Sequence, residues 1–537
     1  MANGAWKTLA VLAAAQFLMV LDQAVMNVSI SQLVEDFDTQ VTTIQGVITL
    51  YSLVMAALMI AGGKIGDIVG RRRAFGIGHA IYGLGSLLTA VSWSVTALTL
   101  GWSVLEGIGA ALVLPALAAL TARTYQGTQR ALAYGVLGGV SGAGIAVGPI
   151  LGGWATTYLS WRVVFAGEAV IVLAILLGLR LLPKDTGRAG AELDRVGAAL
   201  SAAGLAAIVL GVLNASTWGW LMPKDSPVTP FGFSLAPFVV AGGAGLLAAF
   251  CAWARRREAR GREPLVHLRL FGIAPLRAGL AMFGFQNLIL MGVFFAVPLY
   301  LQIVQGLNAF DTGVRMLPVS VALFTTALLG SRLSRALAPR TIVRGGVVLL
   351  VAACLLLLAT IEPDLDTVPF AVAMAVLGVG MGLVVSQLGN VVQSAVGEED
   401  RGEAGGLQYT AQQMGASMGT ALIGAIVITG LVAAFAAKVE SNPDISQAVK
   451  QQLGVRLEGD VSFVSTDQVR TAAAQAHLDQ PTTDAIVGHY AEAQLVALKT
   501  GLLFAALLSC AAFLTTGSLP ARTRAEVAQA RERVVAG

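Results

Sequence analysis

The chain has 537 residues, of which 56% are hydrophobic and only 12% charged, with a mean hydropathy of +0.75 and a formal net charge of +4. A soluble globular chain carries about 25% charged residues, so a soluble enzyme or binding domain is excluded and a polytopic membrane protein is expected. The positive balance does not point to nucleic acid, because the cations stand in short blocks between apolar runs, where the sidedness of membrane loops accounts for them.

Apolar runs near the about 20 residues that cross a bilayer as a helix predict spans at 8–30, 42–62, 74–93, 96–119, 131–153, 163–182, 196–214, 235–254, 278–302, 314–333, 342–361, 367–390, 406–435 and 494–517. That makes fourteen. The first run continues past the roughly 7 to 15 apolar residues of a secretory signal and reads as a retained helix. Cys251, Cys354 and Cys510 fall inside apolar runs and read as small buried hydrophobes.

Alternate connections collect the cations: Arg71 to Arg73, Arg123 with Arg130, Lys184 to Arg195, Arg255 to Arg262, Arg335 to Arg344, and the tail from Arg522. These are expected on the cytoplasmic side, which places both termini there. Glu35, Asp36 and Asp38, the segment 216–233, Asp311, and Glu362 to Asp366 fall on the opposite side. The acidic turn from Glu398 to Glu403 runs against the pattern, although Asp and Glu weigh little in orientation. The long connection 436–495 reads as a small extracytoplasmic cap, with Val461, Phe463 and Val464 as a short strand or hairpin.

Three constellations carry chemistry. In Gly63-Lys64-Ile65-Gly66-Asp67-Ile68-Val69-Gly70-Arg71-Arg72-Arg73 the glycines allow a tight turn and close helix approach, and Asp67 stands four residues before Arg71, a helical pairing distance. In the fifth span Gly144, Gly148 and Gly152 recur every fourth residue and form a groove for another backbone, with Pro149 and Gly153 beside them. Asp22 lies in the middle of the first span, where an ionised side chain costs roughly 2.5 to 3.5 kcal/mol on insertion scales. Such a group either handles protons or cations or bonds helices together. Glu106 and Glu168 add two more intramembrane acids, with Arg162 as the nearest cation in that half. Acids facing one cavity would attract a cationic solute.

The loop from Gly63 to Arg72 resembles the loop signature of the major facilitator superfamily. The stretch from Leu21 to Val28 and the glycine-rich fifth span are similar to patterns of its fourteen-span drug:proton antiporter branch, the EmrB/QacA type. The resemblance implies an all-α membrane protein with the major facilitator fold: a six-helix half at 1–182, two extra helices in 183–277, and a second half at 278–517 with the 436–495 loop, followed by a cytoplasmic tail at 518–537. It implies export of small lipophilic, cationic drugs through the cell membrane by a monomer exchanging protons, with no catalytic residues, metal or cofactor. Gly63, Asp67, Gly70, Arg71 and Arg72 would latch the cytoplasmic gate, and Gly144, Gly148, Pro149, Gly152 and Gly153 would seal the two halves together. Ile68 stands where the family often has a basic residue. Ser103 and Glu106 replace its arginine and glutamine, and Glu168 its asparagine.

For the cavity, Gln286, Asn287, Phe294, Tyr300, Gln387, Tyr409 and Gln412 are polar or aromatic residues at membrane depth that would line a route or bond helices together. No phosphate-binding Gly-x-x-x-x-Gly-Lys-Ser/Thr loop occurs, so an ion gradient is the expected drive. Export of one endogenous lipid, siderophore or antibiotic is the alternative on the same scaffold. An intramembrane enzyme is a third reading, weakened by counting no histidine inside a span.

Overall fold

A computed structural model describes residues 3–125, 127–184, 187, 192–334, 336–397, 400–442, 463–476 and 478–521. The described chain is built from α-helices. The first half holds α1 (Asn3–Val28), α2 (Ile30–Asp36), α3 (Val41–Val69), α4 (Arg71–Ala90), α5 (Val95–Leu98), α6 (Gly107–Thr124), α7 (Gly127–Tyr158) and α8 (Trp161–Gly178). A π-helical stretch, Thr99–Glu106, joins α5 to α6 without a break. Then follow α9 (Arg195–Trp218) and α10 (Ala236–Ala259). The second half holds α11 (Ala274–Leu299), α12 (Ala309–Leu333), α13 (Pro339–Thr360), α14 (Thr367–Ser394), α15 (Arg401–Ser441), α16 (Thr466–Gln475) and α17 (Gln480–Thr515).

Among the described residues, 12 helical stretches are long and apolar enough to cross a membrane. The other two expected spans form helices at the expected places, α4 with 20 residues and α7 with 32, but do not meet that measure. α4 opens on Arg71, Arg72 and Arg73, and its buried face carries glycines, His79, Ser86 and Thr89 instead of aliphatic side chains. His79 corrects the count of intramembrane histidines: it is fully buried on α4, with Nδ1 2.8 Å from the Phe75 carbonyl and Nε2 unpartnered.

Two further expectations change. α3 continues unbroken through Gly63 and Gly66 to Val69, so the connection to α4 is the single residue Gly70. Its φ of 96° is one that glycine adopts without a Cβ penalty. Close helix approach belongs instead to Gly62, where a Cβ would run into the Ala111 carbonyl of α6. The connection after the thirteenth span is also shorter than 436–495, because the alanine-rich end of α15 keeps its helical preference to Ser441 and α17 already begins at Gln480. Phe463 is 1% exposed and precedes a helix, not a hairpin. The Val464 N–H donates to the Tyr490 hydroxyl at 3.0 Å and its carbonyl accepts from Gln494 at 2.7 Å. Val461, Arg335 and the tail beyond 521 lie outside the described residues.

α9 packs on α10 and also touches α3 and α15, so the pair sits beside both halves. The halves meet where α7 lies on α12 and α3 on α15. Hydrogen bonds across this seam gather toward the end that carries Asp36 and Glu362. Gln302 donates to the Val28 carbonyl (2.9 Å), Gln45 to that of Thr420 (2.9 Å), Ser417 to that of Thr49 (3.0 Å), and the Phe310 N–H to the Thr157 hydroxyl (3.0 Å). Toward the Arg71 end, ion pairs run through the segment between α10 and α11: Lys64 to Glu263 at 2.5 Å on one side, Arg269 to Asp400 at 2.9 Å on the other.

Arg162 does not balance the intramembrane acids. Its guanidinium lies 4.4 Å from the Trp161 ring and bonds Asp36 at 2.8 Å and the Ser92 carbonyl at 3.1 Å. Burial alone would raise the Asp36 carboxyl, but hydrogen bonds from Gln32, Trp161 and Arg162, with the Arg162 charge, outweigh it and hold the group below its ordinary value. A lowered carboxylate stabilises the fold above its unfolded-state pKa, and that contribution is lost as pH falls through the folded value. Asp36→Asn should therefore lower the thermal stability of the purified protein at pH 7 by no more than about 1 kcal/mol, since the pair is partly exposed. The difference should close on acidification below the carboxylate range, and a gap that stays constant with pH would rule the ion pair out as its origin.

Candidate functional site

The residues that converge are the three acids. Asp22 on α1, Glu106 at the end of the π-helical stretch and Glu168 on α8 are 0%, 0% and 1% exposed. One oxygen from each lies within 4.8 Å of the others. A π-helical turn widens the local backbone, and here it carries Trp102, Ser103 and Glu106 inward together.

Each carboxyl group is oriented by one neutral donor. The Trp102 indole N–H donates to Asp22 Oδ1 at 2.7 Å, the Thr89 hydroxyl to Glu106 Oε1 at 3.2 Å, and the Tyr82 hydroxyl to Glu168 Oε2 at 3.2 Å. Asp22 Oδ2, Glu106 Oε2 and Glu168 Oε1 have no partner. The buried Tyr51 hydroxyl faces the same acids, and its ring stacks on Trp102 with centroids 4.5 Å apart. Ser103, where the resembling family has arginine, bonds the Val47 carbonyl of α3 at 2.8 Å. No cation therefore faces the acids among the described residues named here.

Glycines let α4 reach this depth. A Cβ on Gly85 would fall 2.6 Å from Glu106 Cγ and 2.7 Å from the Gly101 carbonyl, and one on Gly101 would fall 2.7 Å from the Thr89 hydroxyl. Tyr82, Ser86 and Thr89 recur at i, i+4 and i+7 on α4; the hydroxyls of Tyr82 and Thr89 reach the cluster, and that of Ser86 donates to the Tyr82 carbonyl at 3.2 Å.

What the cluster can hold follows from its free oxygens. Three of the six carboxylate oxygens already accept a hydrogen bond and three do not. Protons neutralise such a site without added ligands. The acids are packed among helices of the first half, each at most 1% exposed.

The signature loop holds its expected pair: Arg71 bonds Asp67 Oδ1 through Nη2 at 2.9 Å and Nε at 3.2 Å. Arg72 is half-buried and Arg73 exposed. The fifth-span glycines divide between two partners. Gly144, Gly148 and Gly152 seat α1 of the same half, against Val20, Ala24 and Val25. Contact with the other half falls to Gly142, facing Phe324, to Gly153, facing the Ala309 carbonyl, and to Pro149, whose carbonyl faces Gly313.

The expected cavity residues do not form one group. Tyr300 donates to the Glu362 carbonyl at 2.7 Å and so fastens the connection between α13 and α14. Phe294 is buried in the main apolar core. Gln387 bonds the Gly330 carbonyl and Asn287 the carbonyl of Phe283 on its own helix. Gln286 is buried with Oε1 unpartnered, and Tyr409 and Gln412 are half-buried on α15. Sequence reading missed Gln23, which reaches across the seam to Gln413 at 3.4 Å and to the Met55 sulfur at 3.7 Å. It also missed Trp102, four residues before Glu106 and thus on the same helical face, the one signal that could have found it.

The profile of the Major Facilitator Superfamily matches residues 12–420. The chain is 35% identical over 447 residues to the puromycin resistance protein pur8 of Streptomyces alboniger, covering 82% of this chain and 84% of that protein. It is 31% identical over 425 residues to a tetracenomycin C resistance and export protein of Streptomyces glaucescens, covering 79% and 76%. It is 29% identical over 477 residues to the multidrug efflux pump LfrA of Mycolicibacterium smegmatis, covering 88% and 89%. In structure it is similar to a bacterial homolog of the human lysosomal transporter Spinster, with a TM-score of 0.61 at 14% identity over 97% of this chain and 98% of that one.

Because the Gly85 position has no room, Gly85→Ala should push Glu106 out of place, cost about 1 to 3 kcal/mol of thermal stability and remove function. Gly242→Ala on α10, where a Cβ meets nothing within 4 Å, should leave both unchanged. Equal behaviour of the two variants in melting and transport assays would show that the α4 approach is not needed.

Proposed function

The chain belongs to the major facilitator superfamily, and on that premise we propose that it exports lipophilic drugs or antibiotics from the cell in exchange for protons, taken up at Asp22, Glu106 and Glu168. Its relatives are named as resistance and export proteins, which supports transport over an intramembrane enzyme. The carrying observation is three fully buried acids, one carboxylate oxygen of each within 4.8 Å of the others, with neutral hydrogen-bond donors on all three. One proton falling through about 150 mV releases roughly 3.5 kcal/mol, enough to sustain a substrate gradient of about a few hundredfold.

Further parts of the reading are ours too. α4 and α7 cross the membrane with the other 12 stretches, giving fourteen spans, with α9 and α10 as the extra pair between halves. The Arg71 end and both termini face the cytoplasm, in the cell membrane. The seam bonded toward the Asp36 end describes a form open to the cytoplasm, and the Asp67–Arg71 pair braces the opposite form, when the cytoplasmic ends close. Substrate enters between the halves near Gln23, Gln413 and Met55, which offer amides and a thioether in place of charge, so flat, weakly charged aromatic compounds fit as well as cations.

In vesicles with an imposed pH gradient, Asp22→Asn should abolish coupled efflux while the protein stays folded in the membrane. Glu106→Gln should slow cationic and neutral substrates alike, by about tenfold or more if proton uptake is lost. Loss confined to cations would return Glu106 to a substrate-attracting role, and undiminished coupling in Asp22→Asn would remove Asp22 from the proton site.

The Asp67–Arg71 pair is 38% and 30% exposed at its side chains, so its worth to static stability should stay under about 1 kcal/mol. Asp67→Asn should leave melting nearly unchanged yet cut the transport rate several-fold. A rate matching the native protein would dismiss the brace.

A further inference from the structure

On the outer surface between α13 and α17 runs an apolar groove of about 420 Å³, lined by Val347, Val348, Val351, Leu355, Cys510 and Phe513. Val348 is 56% exposed and Leu355 48%. From Val347 to Leu355 the groove follows one face of α13 for eight residues, about 12 Å, the length of part of an acyl chain.

The groove does not end in more apolar surface. One turn before Val348 on the same face stands Arg344, whose guanidinium lies 5.3 Å from the ring of Phe513, the groove's own wall. Arg344 spends Nε on the Thr516 hydroxyl at 3.0 Å. Its two terminal nitrogens have no protein partner among the described residues. Arg340, one turn further, bonds the carbonyls of Thr516 and Gly517. Two cations thus sit at one end of an apolar groove, at the end of the bundle that also carries Arg71.

A helix-capping role accounts for Arg340, whose donors meet the carbonyls of Thr516 and Gly517 just past the end of α17. It does not account for Arg344, which reaches a hydroxyl with one nitrogen and stands over the ring of the groove wall. We propose that this is a binding site for an anionic phospholipid, with one acyl chain in the groove and the phosphate on the free edge of Arg344. Basic pockets between transmembrane helices hold acidic headgroups in this way, and each cation near the surface favours them. The occupant is a lipid and not a protein helix, because a groove of about 420 Å³ with cations at one end matches an acyl chain and an acidic headgroup.

The test uses the full purified chain in detergent, titrated with phosphatidylglycerol, phosphatidylethanolamine or phosphatidylcholine of matched chains and followed by native mass spectrometry. Phosphatidylglycerol should be retained about fivefold more tightly than phosphatidylcholine. Arg344→Gln should erase that preference and Arg344→Lys should keep most of it. Val351→Trp fills the groove without touching any arginine and should remove one bound lipid of every class. Should Arg344→Gln destabilise the protein, the Lys and Trp variants still decide the matter. A lipid count and preference unchanged in Val351→Trp, or a preference absent in the native chain, would overturn the site.

Discussion

Everything at the centre of this protein depends on the cost of placing polar groups where water is absent. A carboxyl group within the apolar core must find its partners inside the fold. Here three of them converge between α1, the π-helical stretch, α4 and α8. Each receives one hydrogen bond from a neutral donor and leaves one oxygen unmet. The helices that supply those donors must come unusually close, and glycine is what permits it. Gly85 and Gly101 let α4 lie against the π-helical stretch, while Gly62, Gly78 and Gly109 clear the neighbouring crossings of α3, α4 and α6. The low apolar content of α4 has the same origin, since its interior face is built largely from small and hydroxyl-bearing residues.

The seam between the halves obeys the same rule with different residues. Gln45, Ser417 and Gln302 donate to backbone carbonyls of the opposite half rather than to one another. Carbonyls freed or crowded at helix crossings make such bonds available without asking for a matched side chain. The backbone approaches of Gly153 to Ala309 and of Gly313 to Pro149 bring the helices close enough for this. Toward the Arg71 end the links are ion pairs through the segment between α10 and α11. Packed backbone at one end and screened charges at the other make the two ends unequal in strength.

Most of the architecture was legible in the sequence because membrane depth writes itself as composition. Helix positions followed from apolar runs, and the Asp67–Arg71 pair and the three acids were visible as residues out of place. What was not legible came from packing. The i+4 glycine row in α7 marks a close approach but carries no label for its partner, and the partner is α1 in the same half. Gly63 and Gly66 resemble turn residues, yet the helix runs through them, because glycine in a helix costs only about 1 kcal/mol and neighbours can offset it. Tyr300 and Phe294 read as cavity residues from their type alone, and type does not record which way a helix face turns.

The relation between Asp22 and Gln23 carries the argument one step further. Successive residues on a helix point about 100° apart, so these two neighbours face different worlds. Asp22 is held by Trp102 inside the first half, and Gln23 reaches Gln413 in the second. On the proposed reading, proton and substrate therefore never meet. The event at Asp22 can reach the seam through the backbone of α1 itself, or through Trp102 and the stacked Tyr51 into α3, whose Met55 lies one turn further along and touches Gln23. Both routes end on the same amide. A carrier coupled in this way does not need its substrate to bear a charge, which lets an acid-dependent exporter accept compounds with little else in common than size and flatness.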